Sequence, residues 1–282
     1  MSAHETPVSG WDNSVPDWSR KLPPFDASTA HPARVYDYLL GGKDNFAADR
    51  AAAEAIIEVS PVVFACVRAN RAFLRRAVRY LAGQAGIRQF LDIGTGLPTA
   101  QNTHQVAQQV APECRVVYVD NDPIVLAHAR ALLTSDPAGA CDYIDADLRD
   151  TDKVLSRAAG TLDFGRPVAV MVLCTMQYVP DAEDPHAIIS RLMDAVPSGS
   201  YLAMSDTTRD IDTETMTTGA QRYNAKLGSA VFTPRSGAEY TRFFDRLSLV
   251  EPGLVPMPRW RPDPGSGPGD VIPMYAAIGR KP

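Results

Sequence analysis

Phe90-Leu91-Asp92-Ile93-Gly94-Thr95-Gly96 is the stretch on which the fold turns. An apolar run from Gln89 to Ile93 reads as a short strand, and Thr99–Val110 reads as the helix behind it. Two glycines between them allow a tight turn and a close backbone approach to a ligand. The free amides and positive dipole end of the following helix suit a carboxylate or a phosphate. A GxG turn alone also occurs in purely structural loops, so the segments around it decide the reading.

Downstream, strands and helices alternate. Strands are expected at Arg115–Val119, Asp142–Ile144, Val168–Leu173, Tyr201–Ser205, Leu247–Val250 and Met274–Ile278. Asp122-Pro123 and Asp184-Pro185 each place a capping acid before a first-turn proline. Ser236–Phe244 is a further helix, and Thr207–Thr233 a polar insert with at least one. This alternation predicts an α/β fold, a mostly parallel sheet covered on both faces. Upstream, helices are expected at His31–Gly42, at Ala47–Val59, and from Ser60-Pro61 to a stop at Gly83. The expected organisation is a flexible arm over residues 1–30, a helical cap over 31–83, and the ligand-binding domain over 84–282.

Two acidic sites join the glycine loop, each at the carboxyl end of a strand, where ligands of such sheets bind. Val119-Asp120-Asn121-Asp122 ends the second strand, and its acid can accept both hydroxyls of a ribose. Asp122 already caps a helix, so Asp120 is the better ribose ligand, with Asn121 beside it. Asp145-Ala146-Asp147-Leu148 ends the third strand. There Asp147 can accept from an adenine amino group, and the Leu148 amide can meet the ring. A dinucleotide loop has a third small residue where this chain has Thr99, and Pro98 removes an amide that a pyrophosphate needs. Asp92, at the start of the loop, suits a ligand ammonium, which S-adenosylmethionine has and NAD lacks. S-adenosylmethionine is therefore the expected cofactor, with Asp92, Gly94, Thr95 and Gly96 along it.

The 282 residues are 45% hydrophobic, 22% charged and formally −5 in net charge. This offers no basic stripe for tracking phosphates, so nucleic acid is not the expected partner. No apolar run reaches the ~18–20 residues of a membrane span, and the N-terminus has no signal-peptide pattern. Cys66, Cys114, Cys141 and Cys174 form no CxxC pair. They suggest neither zinc nor disulfides, and a cytoplasmic protein is expected. The five histidines show no metal spacing. His104 and His128 fall on expected surface helices, and His31 is expected to start a helix.

At these residues the chain resembles the class I methyltransferases. More narrowly, it is similar to a family of bacterial, chiefly actinobacterial, S-adenosylmethionine-dependent methyltransferases of undefined substrate. The likeness runs over most of the chain: His31–Phe46, Arg68–Phe73, Asp92–Thr99, Glu251-Pro252-Gly253-Leu254 and Trp260-Arg261-Pro262. Asn70-Arg71-Ala72-Phe73, with the loop carrying Pro98-Thr99, is also similar to leucine carboxyl methyltransferases. The resemblance implies a Rossmann-like sheet of seven strands, the last antiparallel, and cofactor binding at Gly94, Gly96, Asp120 and Asp147. It also implies that Arg71 holds the cofactor carboxylate. Lys43, in the helical cap, is expected near by.

Methyl transfer asks the protein mainly for alignment and exclusion of water, so no catalytic triad is expected and no catalytic residue is assigned. The loop Cys174–Tyr178 follows the fourth strand. The Cys174 backbone is placed at the adenosyl group, while Gln177 or Tyr178 faces substrate, a packed turn being the alternative. Tyr36, Tyr38 and Phe46 are candidates to close the pocket or core residues. The insert Thr207–Thr233 and the segment Val255–Pro273, with charges of both signs, are expected to form a polar mouth for a small or peptide-like acceptor. A binding module without turnover and a nicotinamide oxidoreductase stand as the other readings. Oligomeric state is not indicated.

Overall fold

In the computed structural model, residues 26–132, 135–267 and 269–282 are described. The expected arm, residues 1–30, lies outside them except for its last five residues, of which Ala30 is buried.

The chain opens with helices α1 (Pro32–Leu39), α2 (Ala47–Ile57) and α3 (Val63–Arg79). His31 is the N-cap of α1, as its place before Pro32 predicts. In α3 the apolar stripe Phe73, Leu74, Ala77 and Val78 is buried, and Leu81 continues it into a π-helical turn, Tyr80–Gln84. The sheet then forms from β1 (Gln89–Ile93), β2 (Arg115–Asp120), β3 (Ala140–Asp145), β4 (Ala169–Leu173), β5 (Tyr201–Thr207), β6 (Ser248–Leu249), β7 (Val255–Pro256) and β8 (Met274–Arg280). Between strands lie α4 (Thr103–Val110), α5 (Pro123–Leu132), α6 (Thr151–Ala158), α7 (Pro185–Asp194), α8 (Thr213–Asn224) and α9 (Gly237–Thr241).

Strand order is β3-β2-β1-β4-β5-β8-β6, with β7 on β8. β1 to β5 pair parallel, and β8 runs antiparallel to β5, β6 and β7. The expected last antiparallel strand is present. The count of seven is exceeded by the two-residue β7, whose Pro256 hid it from a strand reading. The order reverses between β1 and β4, so the carboxyl ends of both strands border one crevice.

Alternation sends the two halves of each strand to different layers. Phe90, Val116, Tyr118 and Met171 pack under α3 and α4; Leu91, Ile93, Val117 and Val170 pack on α6 and α7. Trp260 is fully buried against Phe73, ring centroids 5.3 Å apart, and its carbonyl accepts from Arg76 Nε at 2.9 Å. Thus Trp260-Arg261-Pro262 anchors the C-terminal loop on α3. A third cluster joins Val35 and Leu39 of α1, Ala52 and Ala53 of α2, Val67 of α3, and Tyr223 and Leu227 from the expected insert. The insert is therefore half of the helical layer over the sheet rather than a loop hung from the edge.

Three local expectations change. The helix after the glycine loop begins at Thr103, not Thr99. Gln101 sits at φ +61°, which stops a helix, and Asn102 with Gln105 forms the capping box. Helix α6 was not expected; its amphipathic pattern is only eight residues long, started by Asp150 accepting from Lys153 N. His104 is buried rather than solvated, with Nδ1 2.9 Å from Tyr118 Oη. His128 is half-buried near Asp44.

Candidate functional site

At the carboxyl edge of β1, β2, β3 and β4 lies a cavity of about 490 Å³. All ten residues assigned to a cofactor from the sequence line it: Arg71, Asp92, Gly94, Thr95, Gly96, Asp120, Asn121, Asp147, Leu148 and Cys174.

The glycine loop is shaped by its neighbours. Gly94 (φ +71°) faces Thr175, and a β-carbon there would lie 2.3 Å from Thr175 Oγ1. Any side chain at Gly94 would therefore have to push the β4 loop away. Gly96 (φ +66°) donates its amide to Asp120 Oδ2 at 2.7 Å. Asp120 Oδ1 accepts from Asp122 N at 3.0 Å. So Asp120 ties the β1 loop to the β2 turn while its remaining lone pairs stay available to a ligand. Asp122 accepts from Ile124 N at 2.9 Å at the start of α5, the capping role expected of it.

Charge in this corner is uneven. Burial raises the Asp92 carboxyl to about 6, although Thr103 Oγ1 donates to it at 2.6 Å. Burial also raises Asp120 above the ordinary carboxylate range. Burial alone would raise Asp122 too, but His31 Nδ1 at 3.0 Å and Arg34 Nε at 3.3 Å hold it below its usual value. Burial lowers His31, and its hydrogen bond to Asp122 more than restores it, leaving a net rise. Two buried carboxyls short of positive charge suit a ligand bearing an ammonium and a sulfonium. The affinity of S-adenosylmethionine is then expected to fall as pH drops below about 6, because Asp92 must lose its proton when it meets a cation. Calorimetry from pH 5 to 8 checks this; affinity independent of pH would remove Asp92 from the cation site.

Arg71 reaches the other side of the loop, where Nη2 donates to the carbonyls of Ala100 and Gln101, both at 3.2 Å. Arg71 lines the cavity, whereas the first turn of α4, starting at Thr103, does not. Cys174 leaves β4 at φ +56°, unusual for a residue with a side chain, with its amide on Ser205 O at 2.6 Å. Burial raises its thiol well above the usual value, so it is not a nucleophile at neutral pH.

Among the lining residues not singled out from the sequence, two join separate elements through polar contacts. Arg149 donates to Asp147 and to Tyr178 O (3.1 Å) and pairs with Glu183, strapping the β3 loop to the β4 loop. Nothing but its position two residues after Asp147 signalled it. Asn70 donates to Tyr36 Oη (3.0 Å) and accepts from Ser205 Oγ (2.6 Å), joining α3, α1 and β5 at the cavity. Tyr36 lines the cavity as expected of a closing aromatic, whereas Tyr38 and Phe46 pack in the helical layer. Lys43 is not among the lining residues.

The expected polar mouth does not form. Arg209 pairs with Glu239, Asp210 accepts from Gly237 N, Asp212 caps α8, and Arg222 pairs with Glu58. Arg261 lies over the Tyr80 ring, and Asp263 pairs with Arg79. These charges brace elements against one another. From the insert, Ser229 and Ala230 reach the cavity instead.

A parallel sheet with this order and an antiparallel β8, carrying a glycine loop and two strand-end acids on one cavity, defines a class I methyltransferase. The model of a family of S-adenosyl methyltransferases matches residues 19–282, and the chain belongs to that family. A DUF574 family protein from Streptomyces avermitilis is 46% identical with a TM-score of 0.87, the match covering 91% of this chain and 99% of that one. A protein assigned to the methyltransferases from Thermobifida fusca is 43% identical with a TM-score of 0.83, covering 91% and 96%. The plantazolicin methyltransferase BpumL, solved with S-adenosylhomocysteine and a triazolic desmethylPZN analogue, shares the fold at 11% identity and a TM-score of 0.52, covering 89% and 96%. No curated protein matches the chain. The protein is an S-adenosylmethionine-dependent methyltransferase. Among the described residues no helix is long and apolar enough to cross a membrane.

Proposed function

We propose that the protein methylates a small-molecule or peptide-like acceptor in the cytoplasm, holding S-adenosylmethionine in the cavity at the β1–β4 edge. The observation that carries the site is the meeting of all ten sequence-assigned residues on that one cavity. Asp120 takes the ribose and Asp147 with Leu148 the adenine. Asp92 and the backbone of Gly94–Gly96 take the amino-acid end, and Arg71 takes its carboxylate. Bound S-adenosylmethionine supplies a methyl already activated on a sulfonium. The chain's own task is to orient the acceptor and keep water out, which Tyr36, Asn70 and the β4 loop do from the helical layer.

Methyl-labelled S-adenosylmethionine incubated with the protein and fractionated cell extract tests the proposal. Label entering a small molecule or peptide supports it; label entering nucleic acid, or cofactor binding without turnover, counts against it. A sharper test reads Arg71. Arg71→Ala is expected to weaken S-adenosylmethionine about tenfold or more while hardly changing methylthioadenosine, which has no carboxylate. Equal losses for both ligands would mean that Arg71 only holds the loop through Ala100 and Gln101.

A further inference from the structure

Behind a rim made by Tyr36, Cys174 and Tyr178, the cofactor cavity adjoins a second chamber of about 80 Å³. Helices α1, α2, α3 and α8 wall it, and no Asp, Glu, Lys, Arg or His lines it among the described residues. Several of its polar groups are already paired. Gln177 Oε1 accepts from Thr207 N and Oγ1, and its Nε2 donates to Cys174 O. Tyr36 Oη bridges Val67 O and Asn70 Nδ2, and the Tyr178 and Tyr223 hydroxyls meet at 3.3 Å.

One helical position stands out. Gly219 lies inside α8 on the face that also carries Met216, Ala220 and Tyr223 to the chamber. Glycine in a helix interior is destabilising relative to alanine. A β-carbon at Gly219 would meet nothing within 4 Å. A methyl group would therefore fit and stabilise the helix, and the space is open instead.

We propose that this chamber is the acceptor subsite, that it takes an uncharged heteroaromatic ring of the pyridine or imidazole type with its nitrogen at the rim, and that Gly219 sets its depth. The inference rests on the methyltransferase reading of the adjoining cavity. An apolar lining without a counter-ion opposes a carboxylate or an ammonium, because an unpaired buried ion costs several kcal/mol. Aliphatic amines, protonated near pH 10 like lysine, fall to the same objection. A hydroxyl acceptor needs a base, and the rim offers none: burial holds the hydroxyls of Tyr36 and Tyr178 and the thiol of Cys174 protonated. A heteroaromatic nitrogen is largely neutral at pH 7 and has a free lone pair. That lone pair forms the N–CH₃ bond as the S–CH₃ bond breaks, the bonding pair stays on sulfur, and no proton leaves. One positive charge is present before and after, passing from sulfonium to ring. The new charge sits on the nitrogen edge at the rim, outside the apolar chamber, whose wall Tyr178, Tyr223 and Phe232 form by packing on one another. The chamber is about half of the ~150 Å³ that holds benzene. A single ring enters it only with its nitrogen edge left in the wider cavity, where the methyl is delivered.

The test uses the full chain with ¹³C-methyl methionine, saturated with S-adenosylhomocysteine, and follows the Met216 methyl signal. Pyridine is expected to shift Met216 and benzoate is not. With methyl-labelled S-adenosylmethionine, pyridine is expected to be methylated and phenol is not. Gly219→Phe is expected to reduce the pyridine response at least tenfold while S-adenosylhomocysteine affinity stays within twofold; Gly219→Val serves if the larger variant fails to fold. Benzoate acting like pyridine, phenol methylated in its place, pyridine left unmethylated, or Gly219 variants that leave the pyridine response intact would each overturn the proposal. Failure of S-adenosylhomocysteine to bind the wild type would instead overturn the cofactor reading, so the two failures are distinguishable.

Discussion

Asp120→Ala is expected to weaken S-adenosylmethionine by roughly 30- to 1000-fold in calorimetry. The loss corresponds to about 2–4 kcal/mol for two hydrogen bonds to a charged acceptor in a buried corner. The side chain is 7% exposed, so water replaces it poorly. Its oxygens also accept from the amides of Gly96 and Asp122, and alanine would loosen both. A 2′,3′-dideoxy analogue of the cofactor separates these contributions. If Asp120 acts on the ribose, the analogue binds wild type and variant alike. If the variant loses as much affinity for the analogue as for the cofactor itself, Asp120 works through the loop and the ribose assignment fails.

The legible part of this site is the part written as backbone chemistry at strand ends. Gly94, Gly96, Asp120 and Asp147 each sit within three residues of the end of an apolar run, so their convergence followed from strands lying parallel and side by side. Residues whose placement depends on distant packing were not legible. The helix start moved from Thr99 to Thr103 because Gln101 takes a left-handed turn, which a glutamine does not announce. His104 looked solvated because its helix was read as a surface one, whereas the ring turns inward onto Tyr118. Arg149 and Asn70 work by reaching across loops, at sequence separations of 34 for Glu183 and Ser205's 135. The insert misled for a physical reason. Its charged residues cap and brace, while its few apolar ones, Met216, Tyr223 and Leu227, carry the packing. Composition weighs the former and the fold uses the latter.

Asp206 was not singled out from the sequence, and burial displaces its carboxyl further than that of Asp92. It lies in β5 at 2% exposure, and neither carboxyl oxygen has a partner in hydrogen-bond geometry. Burial raises it to about 8, against the opposing pull of Arg235 and the nearby amides of Gln177 and Thr175. A carboxyl whose folded value lies above its unfolded 3.8 binds a proton more tightly in the native state. Its contribution is fully present below pH 4 and is lost as pH rises through 8. The span amounts to several kcal/mol, on the order of 4. Asp206→Asn keeps the shape and removes the titration. The variant is therefore expected to match the wild type near pH 4 and to exceed its unfolding free energy increasingly up to pH 8. Urea denaturation at half-unit pH steps measures the difference. A stability gap that stays flat across the range would show that Asp206 is already ionised in the native protein, compensated by Arg235.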